Sequence, residues 1–187
     1  MGVVCAQDTN QTAHDTFQAA DDDMMSDAFE GTYTDLSNKI NTTDSTVKLD
    51  INYKYNDTDK GKEYIKIVNR NLTIEGNNKI IDANNKSGLF KITNGSEVVL
   101  KNMVIRNGLN SSIILVSSKL TTFNVTFENN HDRSEGAAVY CNDATYQGNF
   151  DKFIDNDAMN GASIFAYSSK VVLDNALFKS ANPVQWV

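Results

Sequence analysis

The chain is poor in residues that break, staple or charge a fold. Its 187 residues include one proline, Pro183, and two cysteines, Cys5 and Cys141. If Cys5 leaves with a leader, one thiol remains and no internal disulfide framework can form. Two histidines, His14 and His131, have no metal-ligand companion at helical or strand spacing. Basic residues are scarce: 17 Lys+Arg against 24 Asp+Glu give a net charge of -7. That balance lacks the positive surface a phosphate backbone requires, so nucleic acid is not an expected partner. No apolar run is long enough to cross a membrane.

What is abundant is Asn, together with short runs of Val, Ile, Thr, Tyr and Phe. This balance favours strands joined by Asn/Gly/Asp turns over long helices. Residues 1–6, "MGVVCA", are apolar and end small, with Val4 and Ala6 placed as in a cleavage site; they read as the remnant of a secretion signal. Residues 7–33 form an acidic arm, expected to be flexible, that includes Asp21, Asp22 and Asp23. Residues 34–64 read as an N-terminal cap. Thr34 is placed to N-cap a short amphipathic helix over 34–40, with Leu36 and Ile40 four apart. A strand over 47–52 follows, with Val47, Leu49 and Ile51 on one face.

From residue 65 to 187 a unit repeats. Its last bulky residue is Ile74, Ile105, Phe127, Phe153 or Phe178, at steps of 31, 22, 26 and 25 residues. Three residues before four of these anchors stands Asn71, Asn102, Asn124 or Asn175. Gly136 and Gly161 repeat at the same step of 25 and open a third strand of each unit. Self-similarity at this period with almost no helical pattern predicts a solenoid. Three short strands per coil, stacked about 4.8 Å apart, make an all-β parallel β-helix. The aligned Asn71, Asn102, Asn124 and Asn175 are expected to form a structural ladder inside the bend, amide bonded to amide. One repeat departs: Phe150 stands where Asn belongs, and Asp151 and Gly148 occupy inward places. That coil is expected to bulge or shift register. "NNHDRSE" (129–135) is expected to loop out. The C-terminal "VQWV", with Trp186, has no cap, so the chain reads as truncated there.

The run "LTIEGNNKIIDA" (72–83), preceded by "TDLSNKINTTDSTVKLDINYKYN" and followed by "SEVVLKNMVIRNG", resembles the adhesin-like β-helix repeat surface proteins of methanogenic archaea. The resemblance covers about residues 34–187. It implies a right-handed β-helix that is secreted and held at the cell surface. Such proteins attach to a glycan or protein of another cell, and their coils carry no catalytic residues or cofactor.

An enzyme is the alternative, since polysaccharide lyases and glycoside hydrolases also use parallel β-helices. Hydrolysis needs two carboxylates facing across a cleft. Asp151, Asp155 and Asp174 are the acids to weigh, and the ordinary reading makes them turn acids on a solvated face. A lyase needs a basic cluster, and Arg70, Arg106 and Arg133 fall at unrelated positions. Cys141, beside Tyr140, reads as core. Asp155, Asp157 and Asn160 in "DNDAMNG" form a partial calcium loop without the bidentate Glu. Eight Asn-x-Ser/Thr sequons occur, of which Asn56, Asn94 and Asn110 fall in loops.

Overall fold

The computed structural model describes residues 28–180. The leader remnant, most of the acidic arm and "VQWV" lie outside the described residues. The first elements are β1 (Phe29–Thr32), α1 (Tyr33–Ile40), β2 (Thr46–Lys48) and β3 (Asn52–Lys54). The coils begin with β4 (Ile65–Val68), β5 (Asn71–Asp82), β6 (Phe90–Thr93), β7 (Glu97–Arg106), β8 (Ile113–Val116) and β9 (Lys119–Glu128). They continue through β10 (His131–Glu135), β11 (Val139–Asn142), β12 (Thr145–Asn149) and β13 (Lys152–Ile154). The last are β14 (Asp157–Asn160), β15 (Ile164–Tyr167), β16 (Lys170–Asp174) and β17 (Leu177–Lys179).

These strands stack in parallel as a β-solenoid of about six turns. One sheet runs β1-β3-β5-β7-β9-β12-β16, with β13 joining β9 to β17. A second runs β15-β11-β8-β6-β4. The long strands β5, β7 and β9 each turn a corner, so one coil has three faces. Inward side chains alternate along each: Val98 and Leu100, then Met103 and Ile105, then Ile113 and Leu115, all at most 2% exposed. They form one continuous cluster from Tyr33 to Phe153. Each such side chain contributes about 1.5–3 kcal/mol on burial. Phe127 and Phe153 stack in the interior at a centroid distance of 5.2 Å, and the half-exposed Phe178 continues the stack at 4.6 Å.

The corners explain the Asn content. Three columns of residues have positive φ, one per corner. The first holds Asn77, Asn78, Asn102, Asn124, Phe150 and Asn175; the second Asn84, Asn85, Asn107, Asn129 and Asp155; the third Asn69, Asn94, Ser117, Asp143 and Ser168. A left-handed residue turns the chain sharply, and Asn tolerates that conformation better than other side chains bearing a Cβ.

Several expectations change in detail. Ile81 and not Ile74 lies beside Ile105, so the irregular first step of 31 becomes 24. Asn71 therefore begins β5 opposite Glu97, just past the third corner at Asn69 and not at the first. The 146–154 coil neither bulges nor slips: β12 and β13 keep register with β9 on one side and with β16 and β17 on the other. Phe150 simply takes the left-handed corner conformation, φ 57°. Residues 131–135 pair as β10 with β14 and do not loop free.

The cap starts earlier than expected. Thr32, not Thr34, is the N-cap: its Oγ1 accepts from the Asp35 N–H at 3.0 Å, and Asp35 Oδ2 accepts from the Thr32 N–H at 2.9 Å. Residues 29–32, assigned to the arm, form β1 against β3. The single strand expected over 47–52 is two, β2 and β3, both laid on β5. Tyr33, Leu36 and Ile40 close the end of the core. Buried Asp59 ties the cap together, accepting from the Tyr33, Thr34 and Asn56 N–H groups and the Thr34 hydroxyl. Arg70 donates to the Ile40 and Asp44 carbonyls just beyond the helix.

Candidate functional site

Three of the four expected ladder residues, Asn102, Asn124 and Asn175, lie on the outside of the first corner, and Asn71 does not. The Asn124 side-chain amide donates to Asn102 Oδ1 at 3.0 Å, and the Asn102 amide donates to Glu75 Oε1 at 2.9 Å. Asn124 and Asn175 are exposed. The reason is geometric: at a left-handed corner the side chain is thrown outward, and the next residue (Met103 or Val125) turns in. The buried Asn ladder belongs to the second corner and was missed. Asn130 is 1% and Asn156 7% exposed. Asn130 Oδ1 accepts from the Gly108 N–H (2.9 Å) and the Ser112 hydroxyl (2.6 Å). The Asn130 amide donates to the Ile105 carbonyl and to Asn156 Oδ1, and the Asn156 amide donates to the Phe127 carbonyl. The signal was present in sequence: Gly108, Asn130 and Asn156 each stand three residues after an anchor.

The chain interrupts the outer amide row at Phe150, the next place after Asn124. Phe150 is 50% exposed and meets Phe123, 42% exposed, edge to face with ring centroids 5.6 Å apart. A bulky residue held left-handed costs on the order of 1–2 kcal/mol. Around the two rings lie the outward residues of β7, β9, β12 and β16. In register with Phe123 are Lys101, Asn149 and Asp174, and beside them Thr121 and Gln147. Asn149 Oδ1 is covered and has no hydrogen-bond partner. The patch thus offers two aromatic surfaces rimmed by amides, one hydroxyl and two opposite charges.

Directly beneath it, Asp151 turns into the core, 0% exposed. Its place in the column is that of Met103, Val125 and Ala176. Asp151 Oδ1 accepts from the Val125 N–H at 2.9 Å, while Oδ2 is bonded to the Thr122 hydroxyl and lies 3.3 Å from the Tyr146 hydroxyl. Burial pushes its carboxyl above the usual range, and the three hydrogen bonds only partly offset this. Gly148 makes the room: a Cβ there would stand 2.4 Å from Asp151 Oδ2.

The three acids weighed for hydrolysis are dispersed. Asp151 faces the core, Asp155 sits at the second corner, and exposed Asp174 ends β16 on the first face. Among the described residues no three His, Cys, Asp or Glu side chains gather as a metal site would need. Of the calcium candidates, Asp155 precedes β14, Asp157 begins it and Asn160 ends it. Asp157 lies 3.1 Å from His131 Nδ1, and the Asn160 carbonyl accepts from the Gly136 N–H. Strand residues three apart point to opposite sides, so this set has no common focus. Cys141 is buried, and burial pushes its thiol up to about 12, which removes it as a nucleophile. Arg106 is spent between Asp82 (3.1 Å) and Glu128 (3.6 Å). No helix among the described residues is long and apolar enough to cross a membrane.

The fold therefore defines a parallel β-solenoid with an N-terminal helical cap. Compared with known family models, with curated proteins and with solved structures, the chain matches none.

Proposed function

We propose that this chain is a non-catalytic binding module of an adhesin-like surface protein, attaching through its outer solenoid face to a glycan or a protein of another cell. The observation that carries the reading is the Phe123–Phe150 pair. A fold that places Asn at this corner in neighbouring coils here spends strain to expose an aromatic ring. Strained and exposed residues of this type are characteristic of recognition sites. Rigid rings supply contact area at little entropic cost, and flanking amides can donate and accept to hydroxyls. The extracellular setting follows the resemblance of residues 34–187 to surface β-helix repeats.

The test is an array of neutral and acidic oligosaccharides probed with the chain and with Phe150→Asn. Asn restores the residue that the column prefers, so the variant is expected to fold with equal or greater stability and to lose binding at least tenfold. Unchanged binding removes the patch from the reading. Release of products from a polysaccharide panel replaces the whole reading with a carbohydrate-active enzyme.

A further inference from the structure

The interior acid under the patch is unexplained by any binding role. The residues that take its place in three other coils, Met103, Val125 and Ala176, are apolar, and the coil keeps register around it, so Asp151 is an inserted polar group with no bulge to relieve it. Its hydrogen-bond partners are uncharged: the Thr122 hydroxyl and Val125 N–H of β9, and the Tyr146 hydroxyl of β12. Thr122 and Tyr146 are also bonded to each other at 3.1 Å. The titratable groups that face the cluster are Tyr146 itself, raised well above its ordinary range by burial, and behind it the buried Cys141 thiol of β11. From β16 the approach is by Leu173, which packs over Gly148. Among the described residues no cation is paired with the carboxylate.

We propose that Asp151 is a pH-sensitive fastening of the Phe150 corner. Protonated, it is a neutral hub that joins β9 to β12 and holds residue 150 in its left-handed turn. Ionised, it places an unpaired negative charge in the apolar interior and loosens β12 and β13 from β9. The direction follows from linkage. A carboxyl whose folded value lies above the unfolded one, about 3.9, contributes fully below that pH and loses its contribution as pH rises through the folded value. The carboxamide of Asn has the shape of the neutral acid but does not titrate. The inference concerns this chain's own stability and stands whether or not Phe150 binds a glycan.

The experiment compares the folding equilibrium constants of the chain and of Asp151→Asn by urea titration from pH 3.5 to 8. The ratio of variant to parent is expected to rise by up to tenfold per pH unit above about 4, and to level off beyond the folded value. A ratio that is constant with pH overturns the proposal. Should Asp151→Asn fail to fold, the ¹³C shift of the Asp151 carboxyl in the parent chain decides. Titration above 3.8 supports the fastening, and titration at or below it refutes it.

Discussion

Replacing Asn130 with Ala tests where the structural ladder lies. The side chain makes four hydrogen bonds, with the Gly108 N–H, the Ser112 hydroxyl, the Ile105 carbonyl and Asn156 Oδ1, while the Asn130 backbone N–H donates separately to Asn156 Oδ1. The Asn130 N–H to Asn156 Oδ1 bond survives the change, so the losses fall on the side-chain atoms. Truncation strands the Gly108 N–H and the Ser112 hydroxyl in an interior that water does not reach, and takes from the Ile105 carbonyl its side-chain partner. Each stranded polar group costs about 1–3 kcal/mol. The expected loss is about 3–5 kcal/mol, or roughly 10 °C in Tm for a folded unit of this size. Asn124→Ala is the matched control at the outer corner. It removes one exposed amide–amide bond and puts Ala in a left-handed turn, for about 1–2 kcal/mol. Thermal and urea melts with equal m-values measure both. Equal losses at 124 and 130, or a larger one at 124, would refute the assignment of the ladder to the second corner.

Two further outcomes follow from buried contacts. Asp59 sits below the usual carboxylate range because its four hydrogen bonds outweigh the burial that would raise it. Its contribution is therefore present above the unfolded value near 3.9 and lost as pH falls through the folded one; Asp59→Asn should cost about 2–3 kcal/mol at pH 7 and much less at pH 3, read from Tm at both. Gly148→Ala pushes a Cβ to within 2.4 Å of Asp151 Oδ2 and 2.7 Å of Leu173 Cδ2; a loss of about 1–3 kcal/mol in urea unfolding is expected, and no loss would mean the interior can part there.

Much of this architecture was legible because the repeat carries it. Two periods coexist in each unit: strict alternation of inward residues along a strand, and recurrence of the anchor at every coil. Alternation alone placed Val98, Leu100, Met103 and Ile105 inside, and recurrence stacked Ile105 on Phe127 and Phe153. The first coil was misaligned because β5 carries Gly76, Asn77 and Asn78 opposite the single Asn102, a local insertion that the anchor pattern absorbs by choosing Ile74. The direction of the corner Asn side chains was not legible. A sequence shows that Asn recurs at a bend, but a left-handed φ decides that it points out and its successor in. The cap boundary moved for a similar reason: Thr32 and Thr34 are both capping residues, and only the reciprocal bond with Asp35 selects Thr32.

Residues 150 and 151 break two column rules side by side, and the breaks are coupled. The corner column asks for Asn and receives Phe; the inward column asks for an apolar residue and receives Asp. Each substitution alone costs stability: Phe through a left-handed backbone, Asp through desolvation. Together they fit one purpose. A ring at the corner gains exposure and loses the amide that would have tied it to Asn124, so the corner needs another tether. Asp151 supplies one from within, through the Val125 N–H one coil back, with Thr122 and Gly148 adapted to admit it. Local rules broken without a gain in stability, at adjacent residues and in unbroken register, are where a fold has yielded to function. On the proposed reading, the functional weight of this solenoid falls on the Phe150 corner and on the acid beneath it.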